Sequence, residues 1–200
     1  MLVYGFVRAA QNDARRASCS ATCALRPTYA GNNRTAPDFE LSDAKGKPVR
    51  LSSLRGKTVV LSFWTRTCGP CLEEMPALVE LTKLANARND FVVLTVSVDS
   101  GPDAVRDALS AALGPGDHEI AITFDPESKI VGERYGTKLF PETWIIDPNG
   151  VIVARFDGRR DWSSSLALEL IERASQPMRC PITFDRGVPR GEGADICESD

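Results

Sequence analysis

The sequence predicts an α/β fold in which a central mixed sheet is flanked by helices. Two charge-free apolar runs, 58–64 and 91–98, suit strands that are buried on both faces. Helix-like segments alternate with these runs, which favours parallel pairing. Two further strand-like runs, 143–146 and 151–156, are joined by Asp-Pro-Asn-Gly, a strong hairpin turn that adds antiparallel strands.

The chain before the first buried strand divides into an arm and a hairpin. Residues 1–35 are polar and aperiodic, and we interpret them as an N-terminal arm. An extended stretch begins at Pro37, residues 43–47 form a turn signal, and 49–51 alternate like a return strand. We therefore expect an N-terminal β-hairpin at the start of a domain that spans 36–176.

The remaining elements follow in order. After the first buried strand, apolar residues recur at helical spacing through about Asn86. The pattern then predicts a helix at 103–113, a strand at 120–124, a short helix at 126–135 and a final helix at 162–174. Phe63, Trp64 and Trp144 are assigned to the core, whereas Trp162 suits core or surface, and residues 177–200 are interpreted as an irregular tail.

Charge and hydropathy exclude two partner classes. The 200-residue chain has a net charge of −3 without long charged runs, so nothing indicates a nucleic-acid or anionic-membrane partner. The apolar run 2–7 is far shorter than the ~20 residues that a membrane span needs. We interpret it as the trimmed end of an upstream membrane anchor.

Four of the six cysteines lie in the sparse terminal segments. Such cysteines are typical of structural disulfides, which persist in oxidising compartments and therefore indicate a location outside the cytosol. Sequence alone leaves three pairings open, and free surface thiols are the alternative. The four residues are Cys19, Cys23, Cys180 and Cys197.

The pair Cys68 and Cys71 directly follows a buried strand and opens a helix. The positive end of a helix favours a thiolate, so Cys68 is predicted to attack a disulfide and Cys71, one turn on, to resolve the product. Gly69 and Pro70 allow the tight helix entry. A structural disulfide or half of a metal site is the alternative interpretation.

Five segments resemble, in family order, the TlpA-like (ResA-like, DsbE-like) branch of thioredoxin-fold proteins. The resemblance implies a thioredoxin-like fold and an extracytoplasmic, often membrane-tethered thiol–disulfide oxidoreductase with no cofactor beyond its redox-active disulfide. Many such proteins are reductants, for example of the haem-attachment cysteines of apocytochrome c. The implied partners are a protein thiol or disulfide substrate and a membrane thiol reductase as electron donor. The matching segments are 36–41, 51–57, 62–71, 74–76 and 140–150.

The resemblance also assigns roles to single residues. Pro141 matches the family's cis-proline, which lies beside the cysteines and leaves the neighbouring backbone open for substrate. Glu74 matches an acid that lies near the cysteines, where burial would raise its pKa and let it relay protons to Cys71. The alternative is a solvated helical glutamate. The substrate-binding set implied by the site is Thr67, Gly69, Pro70 and Phe140.

Two positions depart from the related patterns. Thioredoxin carries a buried acid where this chain has Ser62, so a proton relay has to use another residue, which favours Glu74. The family usually has Trp directly before the first cysteine, where this chain has Thr67, and the smaller side chain widens the substrate groove. The neighbouring Arg66 either lowers the pKa of Cys68 or points to solvent.

Two other functions compete with disulfide exchange. Thr65 stands where peroxiredoxins have Thr before their reactive cysteine, but Leu61 replaces that family's Pro. A thiolate copper carrier of this fold usually adds a distant histidine to a longer cysteine spacing. His118, the only histidine, falls in a loop-like stretch and is assigned to the surface.

Overall fold

A computed structural model describes residues 35–175 apart from 117, together with 183–185, 188–191 and 194. Residues 1–34 of the arm and the four terminal cysteines lie outside the described residues, so the disulfides of these cysteines remain predictions. The same holds for the domain boundaries near 36 and 176.

The expected N-terminal hairpin consists of β1 (Glu40–Ser42) and β2 (Pro48–Arg50), which pair antiparallel. The carboxylate of Asp43 closes the turn by accepting the backbone N–H groups of Lys45 and Lys47, each at 2.8 Å. A single 3-10 turn, Leu51–Leu54, follows β2 and leads into the central sheet.

The central sheet has five strands in the order β5-β4-β3-β6-β7, which confirms the predicted mixed sheet. The first three strands in sequence, β3 to β5, pair parallel, and β6 and β7 pair antiparallel. All seven residues of β3 are buried, as expected for a central strand with both faces covered. The strands are β3 (Thr58–Trp64), β4 (Phe91–Ser97), β5 (Ala121–Phe124), β6 (Glu142–Ile146) and β7 (Ile152–Asp157).

Three helices, α1 (Gly69–Arg88), α2 (Pro102–Leu113) and α3 (Ser165–Ala174), contribute to a core cluster that includes Trp64 and Cys71. Side chains of the opposite sheet face form a second cluster, in which the ring of Tyr135 packs edge-on at 5.1 Å from Phe63 and 5.4 Å from Trp144. Trp162 is also buried, which settles its place in the core.

Two helical segments begin later than the sequence pattern predicts. The segment expected at 126–135 is π-helical over Lys129–Arg134, because the Asp125 carboxylate accepts the N–H groups of Lys129, Ile130 and Val131 and so occupies the first turn. The final helix starts at Ser165 rather than 162, since the Ser164 hydroxyl caps it by accepting the N–H of Ala167.

The C-terminal tail, expected to be irregular, contains one short antiparallel pair, β8 (Thr183–Asp185) and β9 (Val188–Arg190). Thr183 and Val188 are β-branched residues that suit such strands. In the part of the chain that the structure describes, no helix is both long enough and apolar enough to cross a membrane.

Candidate active site

Cys68 and Cys71 form a disulfide where the chain passes from β3 into α1, with their Cα atoms 5.2 Å apart. Cys68 is the N-cap residue of α1, and its Sγ accepts the backbone N–H of Cys71 at 3.1 Å. Cys68 is half-buried and Cys71 fully buried, while Thr67, Gly69 and Pro70 are exposed. Cys68 therefore holds the more accessible sulfur of the pair, at a helix N-terminus, which is a position that favours a thiolate over a thiol.

The loop before β6 carries the predicted proline. The Phe140–Pro141 peptide bond is cis, as the resemblance implies. The Pro141 carbonyl accepts the backbone N–H of Gly158 at 2.9 Å, which ties this loop to the segment after β7. Phe140 is half-buried against the core, whereas Leu139 beside it is 81% exposed. The sequence did not single out Leu139, because only the fold shows that no other part of the described chain covers it.

Glu74 is buried, with 2% of the residue exposed. Its Oε2 accepts the backbone N–H of Arg160 at 3.2 Å, and its Oε1 lies 3.5 Å from the donating hydroxyl of Ser62. The neighbouring Glu73 is exposed and pairs with Arg159 at 3.4 Å. The structure therefore brings Glu74, and not Glu73, into the interior on the same helical face as Cys71.

Burial raises the pKa of the Glu74 carboxyl to about 7, because desolvation disfavours its charged form. The Arg160 N–H, the Trp162 indole, the Ser62 hydroxyl and the charge of Arg159 act in the opposite direction. The indole Nε1 of Trp162 is buried and makes no hydrogen bond of standard geometry within the described residues. A carboxyl with such a pKa exchanges protons readily near neutral pH.

Ser62 and Glu74 belong to one buried polar cluster. Ser62 donates towards Glu74 and accepts a hydrogen bond from the Thr143 hydroxyl at 3.1 Å. Ser62 lies on β3 and Thr143 is its register partner on β6. Glu74 of α1 therefore supplies the acid of this cluster, and Ser62 of β3 supplies the hydroxyl that donates to it.

Arg66 extends towards α2. Its Nε lies 3.5 Å from the Asp99 carboxylate, and its Nη1 lies 3.4 Å from the Ala104 carbonyl. The Arg66 side chain is 54% exposed, which fits the solvent-facing alternative, and its guanidinium is partnered by a carboxylate of a neighbouring loop. No local sequence signal indicates this pairing, because Asp99 lies far along the chain.

A second buried acid, Glu142, directly follows Pro141 and was not singled out from the sequence. It is 1% exposed and accepts hydrogen bonds from the Thr137 hydroxyl, from the Trp144 indole at 2.8 Å and from Arg155 at 2.6 Å. Desolvation raises the pKa of Glu142, while Thr137, Arg155 and Trp144 oppose that effect. The signal in the sequence that could have indicated Glu142 is an acid directly before the apolar run 143–146.

Residues 31–170, well over half of the chain, match the family model described as Redoxin. The chain belongs to the Redoxin family. This Redoxin-family chain is 29% identical over 127 residues to the thiol-disulfide oxidoreductase ResA of Bacillus cereus, covering 64% of this chain and 70% of that protein. It is 35% identical over 118 residues to ResA of Geobacillus thermodenitrificans, covering 59% and 64%.

Solved structures place the Redoxin-family chain in the same group. A protein from Chlorobium tepidum described as a thiol:disulfide interchange protein DsbE has a TM-score of 0.61 and 28% identity, covering 72% of this chain and 97% of its own. The exposed lipoprotein thioredoxin Etrx1 of Streptococcus pneumoniae has a TM-score of 0.57 and 32% identity, covering 68% and 99%. The predicted resemblance, the thioredoxin-like fold and the class of thiol–disulfide oxidoreductases are confirmed.

Two residues considered for the alternative functions, Thr65 and His118, have polar partners of their own in the structure. The Thr65 hydroxyl donates to Asp99 at 3.2 Å, so its hydrogen bond is directed away from the cysteine pair. The Nε2 of His118 lies 3.0 Å from the Gly114 carbonyl in its own loop. Across the residues that the structure covers, no group of three or more His, Cys, Asp or Glu side chains is arranged to hold a metal ion.

Proposed function

We propose that this protein reduces disulfides of protein substrates outside the cytosol, through a dithiol–disulfide cycle of Cys68 and Cys71. The single observation that carries the proposal is the placement of Cys68, half-exposed at the start of α1 with its Sγ accepting the Cys71 N–H. This placement exposes one sulfur and hides the other, which is what sequential attack and resolution need.

The proposed disulfide exchange takes place in two steps. The Cys68 thiolate attacks one sulfur of the substrate disulfide, a mixed disulfide forms, and the other substrate sulfur leaves as a thiolate that takes up a proton. Cys71 then loses its proton and attacks the Sγ of Cys68, which releases the second substrate thiol and forms the Cys68–Cys71 disulfide. Two electrons have passed from the protein to the substrate.

Glu74 is suited to accept the proton of Cys71 in the second step. The carboxyl lies one helical turn from Cys71, and its pKa of about 7 leaves a substantial fraction ionised near neutral pH. Glu74 and Cys71 are both buried, so both groups are shielded from bulk solvent.

Two electrostatic effects counter that of the helix end and favour a reductant over an oxidant. A strong oxidant stabilises the thiolate of its reduced form, which makes the disulfide easy to reduce. Ionised Glu74 repels a nearby thiolate, and the positive charge of Arg66 is partnered by Asp99. Both effects disfavour the thiolate and so strengthen the dithiol as an electron donor.

Regeneration of the dithiol requires an external thiol donor, for which we propose a membrane thiol reductase. The four terminal cysteines, interpreted as structural disulfides, support an oxidising location. One neighbour is described as an exposed lipoprotein thioredoxin, which supports a membrane-tethered full-length form. Reduction of apocytochrome c cysteines, which the resemblance to TlpA-like proteins implies, is one physiological role that we propose.

Turnover on a protein disulfide tests this function against its rivals. With dithiothreitol as donor, the protein is expected to accelerate reduction of insulin at least about tenfold over dithiothreitol alone, because a positioned thiolate attacks faster than a free thiol. Hydrogen peroxide consumption, measured in parallel, is expected to stay near background. Rapid peroxide turnover without insulin reduction, or stoichiometric copper(I) uptake by a redox-inert pair, would contradict the proposal.

A further inference from the structure

The loop that precedes the reactive cysteine is fastened to one side chain of a neighbouring loop. Asp99, which follows β4, accepts the backbone N–H of Arg66 at 2.8 Å and the Thr65 hydroxyl at 3.2 Å. Its side chain is 10% exposed. Asp99 therefore holds two successive residues of the connection between β3 and Cys68.

Asp99 is itself fixed from the sheet side. Its Oδ2 accepts the Ser97 hydroxyl at 2.8 Å, and its own backbone N–H donates to the Ser97 Oγ at 3.0 Å. The held loop continues directly into the site, because the Cys68 N–H donates to the Thr65 carbonyl at 3.1 Å. A chain of hydrogen bonds thus runs from the end of β4 to the backbone of Cys68.

Asp99 also partners the charge nearest to Cys68 in sequence. The Arg66 Nε lies 3.5 Å from Asp99 Oδ1, and the Arg66 Nη1 lies 3.4 Å from the Ala104 carbonyl of α2. An unpaired guanidinium two residues from a cysteine favours its thiolate. The pairing with Asp99 offsets that effect.

We infer that Asp99 is a positioning residue for disulfide exchange: it holds the 65–67 loop in place before Cys68 and keeps the Arg66 charge from stabilising the Cys68 thiolate. The inference rests on the proposed attack by Cys68. Asp99 makes no described contact with the sulfur of Cys68 or Cys71, and it sets the dithiol–disulfide equilibrium through the 65–67 loop and through Arg66.

The Asp99→Asn variant tests this role by equilibration with mixtures of reduced and oxidised glutathione. Without the carboxylate, the freed Arg66 charge stabilises the thiolate, so the equilibrium is expected to shift about three- to tenfold towards the dithiol. A tenfold shift is about 30 mV in reduction potential. Asp103→Asn is the matched control, since Asp103 is an exposed acid of α2 that pairs only with Arg106 among the described contacts, and it is expected to shift the equilibrium less than about twofold.

The double variant Arg66→Gln/Asp99→Asn separates the charge from a general loss of structure. It is expected to return the glutathione equilibrium to within about twofold of the wild type, which a destabilised loop alone would not do. An unchanged equilibrium in Asp99→Asn, or no return in the double variant, would overturn the inference. If the wild-type pair fails to exchange with glutathione or insulin at all, the proposed function fails instead.

Discussion

Cys68→Ala is expected to abolish insulin reduction, with residual activity indistinguishable from dithiothreitol alone. Cys68 carries the only sulfur of the pair that an incoming disulfide can reach, because Cys71, in the first turn of α1, is fully buried. The loss removes the covalent step itself, so the effect is larger than any change of electrostatics around the site. The initial rate of insulin precipitation measures it.

Cys71→Ala is expected to stop the cycle one step later. Cys68 still attacks, but no second thiol releases the substrate, so the mixed disulfide accumulates and is seen as a covalent adduct on a non-reducing gel. The Cys68→Ala/Cys71→Ala double variant is the matched control and forms no adduct through the site. If the single Cys71 variant traps no substrate while the wild type reduces insulin, the assigned order of attack and resolution is wrong.

Glu74→Gln is expected to change the pH dependence of stability by several kcal/mol. In the folded state the pKa of Glu74 is raised from 4.5 to about 7, so between these values the folded protein holds a proton that the unfolded chain has lost. The Glu74 contribution to stability is therefore present below pH 4.5 and is lost as pH rises through 7. At about 1.36 kcal/mol per pKa unit, the loss is about 3 kcal/mol.

The neutral amide that Glu74→Gln introduces carries no such penalty. The free energy of unfolding of this variant relative to the wild type should therefore rise by about 3 kcal/mol between about pH 4 and pH 8. Urea unfolding at both pH values measures the difference, and the contribution of Glu142 cancels because both proteins contain it. Glu73→Gln is the matched control, since Glu73 carries the same charge one residue away at the exposed surface. A gain in Glu73→Gln equal to that in Glu74→Gln would contradict the buried titration.

Glu74→Gln is also expected to slow the step in which Cys71 resolves the mixed disulfide. Without a base near Cys71, release of the mixed disulfide should fall about tenfold or more at pH 7, while formation of the mixed disulfide by Cys68 stays within about twofold. Stopped-flow traces that separate the two phases distinguish this outcome. A faster resolving step in Glu74→Gln would show that the carboxylate hinders the reaction at Cys71.

The order of strands and helices could be predicted because each element has a signal in its own few residues. The charge-free runs that became β3 and β4, and the Asp-Pro-Asn-Gly turn between β6 and β7, each decide their own element from a few neighbouring residues. The cysteine pair was predicted from its spacing and its place after a buried strand, and Pro141 from the resemblance to TlpA-like proteins. The helical segments that were placed too early begin instead where side chains bond to backbone N–H groups, at Asp125 and Ser164, which periodicity does not detect.

The site could be predicted only in part, because its tuning comes from residues that are distant in sequence. Glu74 was predicted from the resemblance, but its contacts with Ser62 and Arg160 join three separate segments of the chain. Asp99 and Glu142 act through partners that become neighbours only when the sheet forms. A motif shows which atoms react, whereas the assembled fold shows which charges face them.

The reduction potential of the Cys68–Cys71 pair tests the proposed reductant most directly. Equilibration with glutathione or dithiothreitol mixtures over a range of ratios, followed by thiol alkylation, measures it on the full chain. We expect a value of about −200 mV or lower, in the range of proteins that donate electrons, because Glu74 and the Asp99–Arg66 pairing disfavour the thiolate. A value near about −120 mV, that of strong disulfide oxidants, would contradict it.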